Sequence, residues 1–168
     1  MKNILTGIMT ALLALLAIGA VWAYGPESKS VSVDAGVPDF AFPDKVASNA
    51  DRQLERALDA GDGAGVVNAL VKYALARNAV SPKMLPSVIE RIEKVADGER
   101  DLRVKSLLLL LEARIYDGLY RRDKWRYDRR EIPVDSLAAD YTEWSGEQFK
   151  KCISSLLVRA LAPRDELL

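Results

Sequence analysis

The densest group of charged and aromatic residues in this 168-residue chain lies at positions 121–130, where the sequence reads Arg-Arg-Asp-Lys-Trp-Arg-Tyr-Asp-Arg-Arg. Cations next to aromatic rings can bind phosphate, lipid headgroups or nucleic acid. The acids Asp123, Asp128 and Glu131 neutralise much of this positive charge. The pattern therefore favours a solvated loop whose aromatic rings pack against the domain, and no nucleic-acid partner is predicted.

A second group of possible ligands is acidic. Glu90, Glu93 and Asp97 recur at helical spacing and could hold a cation. Arg91 and Lys94 are interleaved with them, and a helix face of alternating charges is typically solvated. We interpret the three acids as a solvated face and predict no metal site.

Residues that support catalysis are scarce. The chain has no histidine, which excludes Ser-His-Asp and Cys-His catalysis and metal sites that use histidine. Its single cysteine, Cys152, cannot form an intramolecular disulfide or a structural zinc site. Cys152 could pair with another chain, although a half-buried position on a helix is the favoured interpretation. With no glycine-rich phosphate loop and no nucleophile elbow, the sequence predicts no catalytic, cofactor-binding or metal-binding residue and no enzyme.

The first residues have the pattern of an export signal. Lys2 precedes an uncharged, leucine- and alanine-rich run at 4–20, and Val21-Trp22-Ala23 suits cleavage after Ala23. Residues 1–23 are therefore predicted to be a signal peptide, and the protein to reside in the periplasm or cell envelope. The alternative is an uncleaved anchor, because the apolar run approaches the length that spans a bilayer. Contact with a membrane is expected only through this segment, if it stays uncleaved.

Residues 24–42 are predicted to be an extended linker, and residues 43–168 a helical domain. The first helix should begin at Pro43 and end at Gly61, since proline suits a first turn and glycine a C-terminal cap. The second should span roughly 63–79, with Asp62 as its N-cap.

Two more helices are expected between residues 81 and 120. Ser81 and Pro82 provide N-cap chemistry for the third, but Pro86 implies either a bend or a true start nearer Met84. The fourth, at about 101–120, contains five consecutive leucines at 107–111. A helix that is apolar on every side must be covered by several neighbours, so we predict that it lies at the centre of the domain.

Residues 121–144 lack a steady period and are predicted to form a loop. Four of its aromatic residues are expected to pin it to the helices, namely Trp125, Tyr127, Tyr141 and Trp144. The last helix should start at Ser145, which forms a capping box with Gln148, and stop at Pro163.

An internal similarity links residues 54–63 and 89–98, which are 35 positions apart. In both, a helix ends in Asp-Gly and a second helix follows. This is the layout of stacked antiparallel α-hairpins at the period of tetratricopeptide-like arrays. The alternative is that any two helices joined by Asp-Gly look alike. We predict an all-α fold of tetratricopeptide-like hairpins.

Several segments resemble one known family. Residues 42–46, 61–76, 85–86, 107–116 and 143–149 are similar to the extreme N-terminal region of Bacteroidetes-type bacterial alpha-2-macroglobulin-like proteins. The resemblance implies a helical region preceding β-sandwich domains in an envelope-associated, protease-trapping protein. The thioester motif Cys-Gly-Glu-Gln of some members is absent, and Cys152, in Lys-Lys-Cys-Ile-Ser, does not match it.

The resemblance and the composition together predict a non-catalytic, exported helical interaction or scaffold module, as a fragment or truncated relative of that family. The alternative is an independent tetratricopeptide-like adaptor of the cell envelope. In either case the expected partner is a protein, which would be further domains of a longer chain or another envelope protein.

Overall fold

A computed structural model describes residues 42–132 and 140–162 of the chain. These residues are 85% helical, with six α-helices and no strand among them. The predicted all-α class is therefore confirmed. The predicted signal peptide and nearly all of the predicted linker lie outside the described residues.

The first two helices are joined by a two-residue turn. Helix α1 spans Pro43–Ala60 and helix α2 spans Gly63–Val80. Gly61 has φ +63°, a left-handed conformation that only glycine adopts without strain. The Asp62 side chain accepts a hydrogen bond from the backbone nitrogen of Gly65 at 3.0 Å and so caps α2. Both predicted boundaries are confirmed.

Helices α1 and α2 run antiparallel. Asp44, in the first turn of α1, lies 3.8 Å from the Arg77 guanidinium near the end of α2. Nearer the turn, Lys72 donates to Gln53 at 3.4 Å. Small buried side chains line the contact, which lets the two helices approach closely; among them are Ala47, Ala50, Ala57, Ala69 and Ala74.

The third helix starts later than Ser81. Ser81 caps only a 3-10 turn, Pro82–Met84, and helix α3 spans Leu85–Gly98. Pro86 is then at the second position of α3, where its missing N–H is one that a helix start leaves unpaired in any case. Of the two alternatives at Pro86, the late start is correct.

Helix α4, Leu102–Arg122, is the centre of the described domain, as predicted. It packs against α2, α3, α5 and α6. Leu108, Leu109 and Leu111 are buried, and Leu107 and Leu110 pack against the same core while partly exposed. Among the helices of residues 42–132 and 140–162, none is long and apolar enough to cross a membrane.

The chain after α4 contains more helix than predicted. Helix α5 spans Lys124–Tyr127, a 3-10 turn spans Tyr141–Glu143, and helix α6 spans Gly146–Leu161. The predicted capping box at the start of α6 is confirmed. The backbone nitrogen of Gln148 donates to the Ser145 hydroxyl at 3.3 Å, and the backbone nitrogen of Ser145 donates to the Gln148 side chain at 2.8 Å.

An aromatic cluster fixes α5 and the second 3-10 turn onto α4 and α6. Its centre is the fully buried Phe149 of α6, whose ring lies 4.6 Å from that of Tyr127 and 5.2 Å from that of Trp144. Tyr141 joins the cluster at 6.3 Å. The prediction that aromatics pin this region is thus confirmed for three of the four. It is wrong for Trp125, which is 66% exposed.

The helices alternate in direction, so their termini gather at two ends. The Asp44–Arg77 pair puts the start of α1 beside the end of α2. Pro86, in the first turn of α3, lines one cleft with Arg122 at the end of α4. Gly146, at the start of α6, lies against the Asp128 side chain just after α5. We call this the entry end, because the described chain enters it at residue 42, and we call the other the opposite end.

Candidate functional site

A solvent-open groove separates α1 from α3. Its cavity volume is about 430 Å³. Its floor and walls are apolar, with charged side chains on both rims; the lining residues are Leu54, Glu55, Leu58, Arg91, Lys94, Val95, Gly98 and Glu99. Leu54 is buried beneath it, whereas Leu58 is 46% exposed. Leu58 is an exposed apolar side chain above the buried Leu54, so this groove can bind the apolar side chain of a partner.

One ion pair fixes the width of the groove. The Arg91 guanidinium of α3 lies 2.5 Å from an Asp51 carboxylate oxygen of α1. The same guanidinium lies 5.6 Å from the centre of the Tyr73 ring on α2. Because both partners of the pair are only partly exposed, the pair is less screened than one on the open surface. Arg91 therefore links α1 and α3 through a terminal guanidinium nitrogen, while its buried Nε makes no hydrogen bond within the described residues.

The groove continues toward the opposite end into a smaller cavity of about 100 Å³. Leu58 and Glu99 line both cavities. Gly63 and Val104 close the smaller one, and a Cβ on Gly63 would collide with the Val104 side chain. Leu58 thus lies where the groove and the smaller cavity adjoin.

The basic-aromatic run at 121–130 lies at the entry end, and part of it is structural. The Arg130 guanidinium donates to the backbone carbonyls of Thr142 and Trp144, the second at 3.2 Å. The Asp128 carboxylate accepts from the Tyr120 hydroxyl at 2.9 Å and lies 3.7 Å from the Lys124 ammonium. These contacts connect α4, α5 and α6.

The rest of the run faces an open cleft of about 640 Å³. Cations, acids and aromatic rings line this cleft together; the lining residues are Pro82, Lys83, Pro86, Arg122, Asp123, Arg126, Tyr127, Asp140, Tyr141 and Thr142. Beside the cleft, the Arg129 guanidinium lies 5.7 Å from the centre of the exposed Trp125 ring. The prediction of a solvated loop was therefore only partly right, because this region is helical and displays an exposed aromatic ring.

Sequence reasoning missed a buried carboxyl group. Glu112, on α4, is only 4% exposed. Burial raises its pKa to about 7, and the negative charge of Glu93 on α3 and a hydrogen bond to that side chain add to the rise. Its position in the sequence could have indicated this burial, because Glu112 lies one turn after Leu108 on the apolar stripe of α4.

The other groups around Glu112 come from both flanking helices. Arg159 on α6 opposes the rise in the Glu112 pKa, and Asp97 on α3 adds to it slightly. Cys152 of α6 is half-buried, and burial together with the Glu112 charge raises its thiol pKa to about 11. A thiol with so high a pKa is a poor nucleophile at neutral pH, because the thiolate is the reactive form.

The three predicted acids of α3 do not act as one set. Glu93 contacts Glu112, while Glu90 is exposed on the surface. In the part of the chain that the structure describes, no group of three acid or cysteine side chains is arranged to hold a metal ion.

Comparison with known proteins adds no family to these observations. No family model matches the sequence, and neither a curated protein nor a solved structure matches the chain. The function therefore has to be argued from the surfaces of the molecule and from the sequence resemblance.

Proposed function

We propose that this chain is a non-catalytic, exported helical interaction module that binds a protein segment in the groove between α1 and α3. The observation that carries the proposal is Leu58, a large apolar side chain left 46% exposed where it lines the groove and the adjoining cavity. Covering Leu58 and the partly buried Val95 with another apolar side chain would contribute about 25 cal/mol per Å² of buried apolar surface.

The charges on the rims define the partner further. Glu55 stands on the α1 side and Lys94 on the α3 side, and neither has an ion pair within the described residues. A complementary segment places an apolar side chain on Leu58, with a cation facing Glu55 and an acid facing Lys94. Such charges set orientation and selectivity more than affinity.

The proposed architecture is a stack of antiparallel α-hairpins similar to tetratricopeptide arrays. Two features support it: α3 contacts α2 and is joined to α1 by the Arg91–Asp51 ion pair, and α2 also contacts α4. In a stack of this kind, each repeat packs on its neighbour, and the concave side provides an extended binding surface. The groove between α1 and α3 would be that surface.

Two cellular roles share this groove. The first is the N-terminal helical region of a bacterial alpha-2-macroglobulin-like protein, supported by the resemblance across residues 42–149. Its partner would be further domains of a longer chain. The second is an independent adaptor of the cell envelope, favoured by the open groove and the stacked helices, whose partner would be a separate protein. In both roles the export signal at 1–23 delivers the domain, and no catalytic residue is assigned.

Site-specific photocrosslinking in an exporting bacterial host tests the proposal. A photoreactive amino acid replaces Leu58 in one variant and Arg56, exposed on the same helix and outside the groove, in the control. We expect an adduct from position 58 that is absent from position 56. Mass spectrometry of the adduct then identifies the crosslinked segment of the partner. This segment should contain an apolar residue flanked by charges of both signs.

Charge reversal on α3 provides the matched control. Lys94→Glu should reduce the adduct yield severalfold, whereas Glu90→Lys, on the same helix but outside the groove, should leave it unchanged. An adduct within one longer polypeptide would support the alpha-2-macroglobulin-like role, and one between two polypeptides the adaptor role. Equal yields from positions 58 and 56 would contradict the proposed groove.

A further inference from the structure

The entry end displays two exposed aromatic rings, each paired with its own cation. Phe42 is 62% exposed, and the Lys45 ammonium lies 4.7 Å from the centre of its ring. Trp125 and Arg129 form the second pair, at 5.7 Å. Val80, exposed at the end of α2, adds a third apolar side chain. Tryptophan is enriched at the headgroup level of membranes, and lysine and arginine side chains there keep their charged ends in the polar layer.

The cleft at this end supplies further positive charge. Arg122 is held by Asp123 at 3.4 Å. Lys83 and Arg126 line the same cleft and make no ion pair within the described residues. The acid Asp140 accepts a hydrogen bond from the backbone nitrogen of Thr142 and so is partly occupied. Two cations therefore remain available to an anionic ligand.

The opposite end carries charges of both signs. Its acids Asp62, Glu99 and Asp101 cap backbone nitrogens there. Arg100 and Arg103 are exposed in the same segment and offset these acids. The cations displayed at the entry end would attract an anionic bilayer to that end.

The direction of the chain agrees with a bilayer as the occupant. In the uncleaved form of the sequence, the apolar run at 4–20 precedes Phe42, so the membrane segment is followed by the domain at this end. All three features lie at one end of the bundle: the exposed rings, the cations without an ion pair, and the residue at which the described chain begins.

We propose that the entry end lies on an anionic lipid surface, with Phe42 and Trp125 at headgroup depth and Lys45, Lys83 and Arg126 against lipid phosphates. This leaves the α1–α3 groove free for its partner, and it is independent of the role assigned to that groove. An acidic protein is the competing occupant.

The test measures which end of the full-length protein faces the lipid. In a Cys152→Ser background, a fluorophore is placed on Ala79→Cys at the entry end or on Ala60→Cys at the opposite end, both positions being exposed. The vesicles carry a headgroup-linked nitroxide quencher and either phosphatidylglycerol or phosphatidylcholine alone. We expect quenching at position 79 on the anionic vesicles, weaker quenching on the neutral ones, and little at position 60. Attachment through residues 1–23 would also hold the entry end near the lipid, but it would do so on anionic and neutral vesicles alike, so the dependence on lipid charge identifies docking.

Charge-reversed variants separate docking from tethering. Arg126→Glu with Arg129→Glu should weaken the quenching at position 79 by about tenfold or more, since each basic residue near an anionic surface contributes on the order of a fivefold gain in binding. The control, Arg52→Glu with Arg56→Glu, changes the same charge on the exposed face of α1 and should have little effect. Circular dichroism confirms that all variants are folded.

Three results would overturn the lipid assignment. The first is equal quenching at both positions, and the second is quenching at position 79 that ignores lipid charge. The third is the absence of quenching at position 79 on the anionic vesicles together with binding of poly-glutamate that Arg126→Glu with Arg129→Glu abolishes, which would assign this surface to an acidic protein.

Discussion

The two halves of the domain, which meet on α4, differ in the side chains that form their helix interfaces. Between α1, α2 and α3 the interface is made of small and aliphatic side chains, and alanine is frequent. Between α4, α5 and α6 it is made of aromatic rings around Phe149, next to the buried Glu112. Closely packed helices stabilise the first half, whereas contacts among a few large side chains stabilise the second.

This difference bears on specificity. Small residues at helical spacing let a helix pack on its sequence neighbour, so the first half is determined largely by local signals. Aromatic residues each bury about 150–250 Å² and prefer defined ring geometries, so a few of them can fix a segment with little regular structure. The second half therefore depends on contacts between distant parts of the chain, such as Tyr127 with Phe149.

The largest effect is expected where the halves meet. Leu108 is fully buried in the core that both halves share. Leu108→Asp would bury an unpaired charge, at a cost of about 4–5 kcal/mol or more, and should unfold both halves together. Far-UV circular dichroism at 25 °C would show the loss of helix. Leu102→Asp, at the exposed start of the same helix, is the control and should stay folded. Native-like helicity in Leu108→Asp would show that α4 is not central.

The next largest effect compares the two interfaces directly. Phe149→Ala should cost about 3–5 kcal/mol, and Leu54→Ala about 2–5 kcal/mol, both measured by urea unfolding. The fluorescence of Trp144, 5.2 Å from Phe149, should change in the native state of the first variant and not of the second. An unchanged Trp144 signal in Phe149→Ala would mean that the aromatic cluster does not form a packed unit.

The buried carboxyl makes the second half sensitive to pH. The pKa of Glu112 rises from its usual 4.5 to about 7 in the folded protein, so the folded state binds the proton more tightly than the unfolded state does. The stability that Glu112 contributes is then fully present below pH 4.5 and is lost as the pH rises through 7, by at most about 3 kcal/mol. Glu112→Gln should remove most of this fall between pH 5 and pH 8, as measured by urea unfolding.

Two comparisons qualify the Glu112 result. Glu90→Gln, at an exposed position of α3, should leave the pH dependence unchanged. Glu93→Gln should lower the pKa of Glu112, because Glu93 contributes to its rise both by its charge and by a hydrogen bond. A wild-type stability that rises between pH 5 and pH 8 would contradict the assigned sign.

The sequence predicted helix limits better than burial, for a physical reason. Helix limits follow local rules, so Gly61, Asp62 and the Ser145 capping box were correctly identified. The sequence could not decide between the two starts allowed at Pro86, because both satisfy the same backbone rules. Burial depends on neighbours far along the chain. Pattern alone therefore did not show that Trp125 is exposed or that Glu112 meets Glu93.

The smallest effects on stability are expected at the helix N-caps, and one cap from each half can be compared. Ser145 is buried and makes two reciprocal hydrogen bonds with Gln148, whereas Asp62 is exposed and makes one with Gly65. Ser145→Ala should cost about 1–2 kcal/mol and Asp62→Ala about 0.5–1 kcal/mol, because a buried backbone donor loses its partner only in the first. Thermal unfolding at low and high salt separates them further, since only Asp62 adds a charge at a helix start, where salt screens the interaction with the helix dipole. If the two variants lose equal stability, local capping contributes alike in both halves, and the difference between them lies in the aromatic core alone.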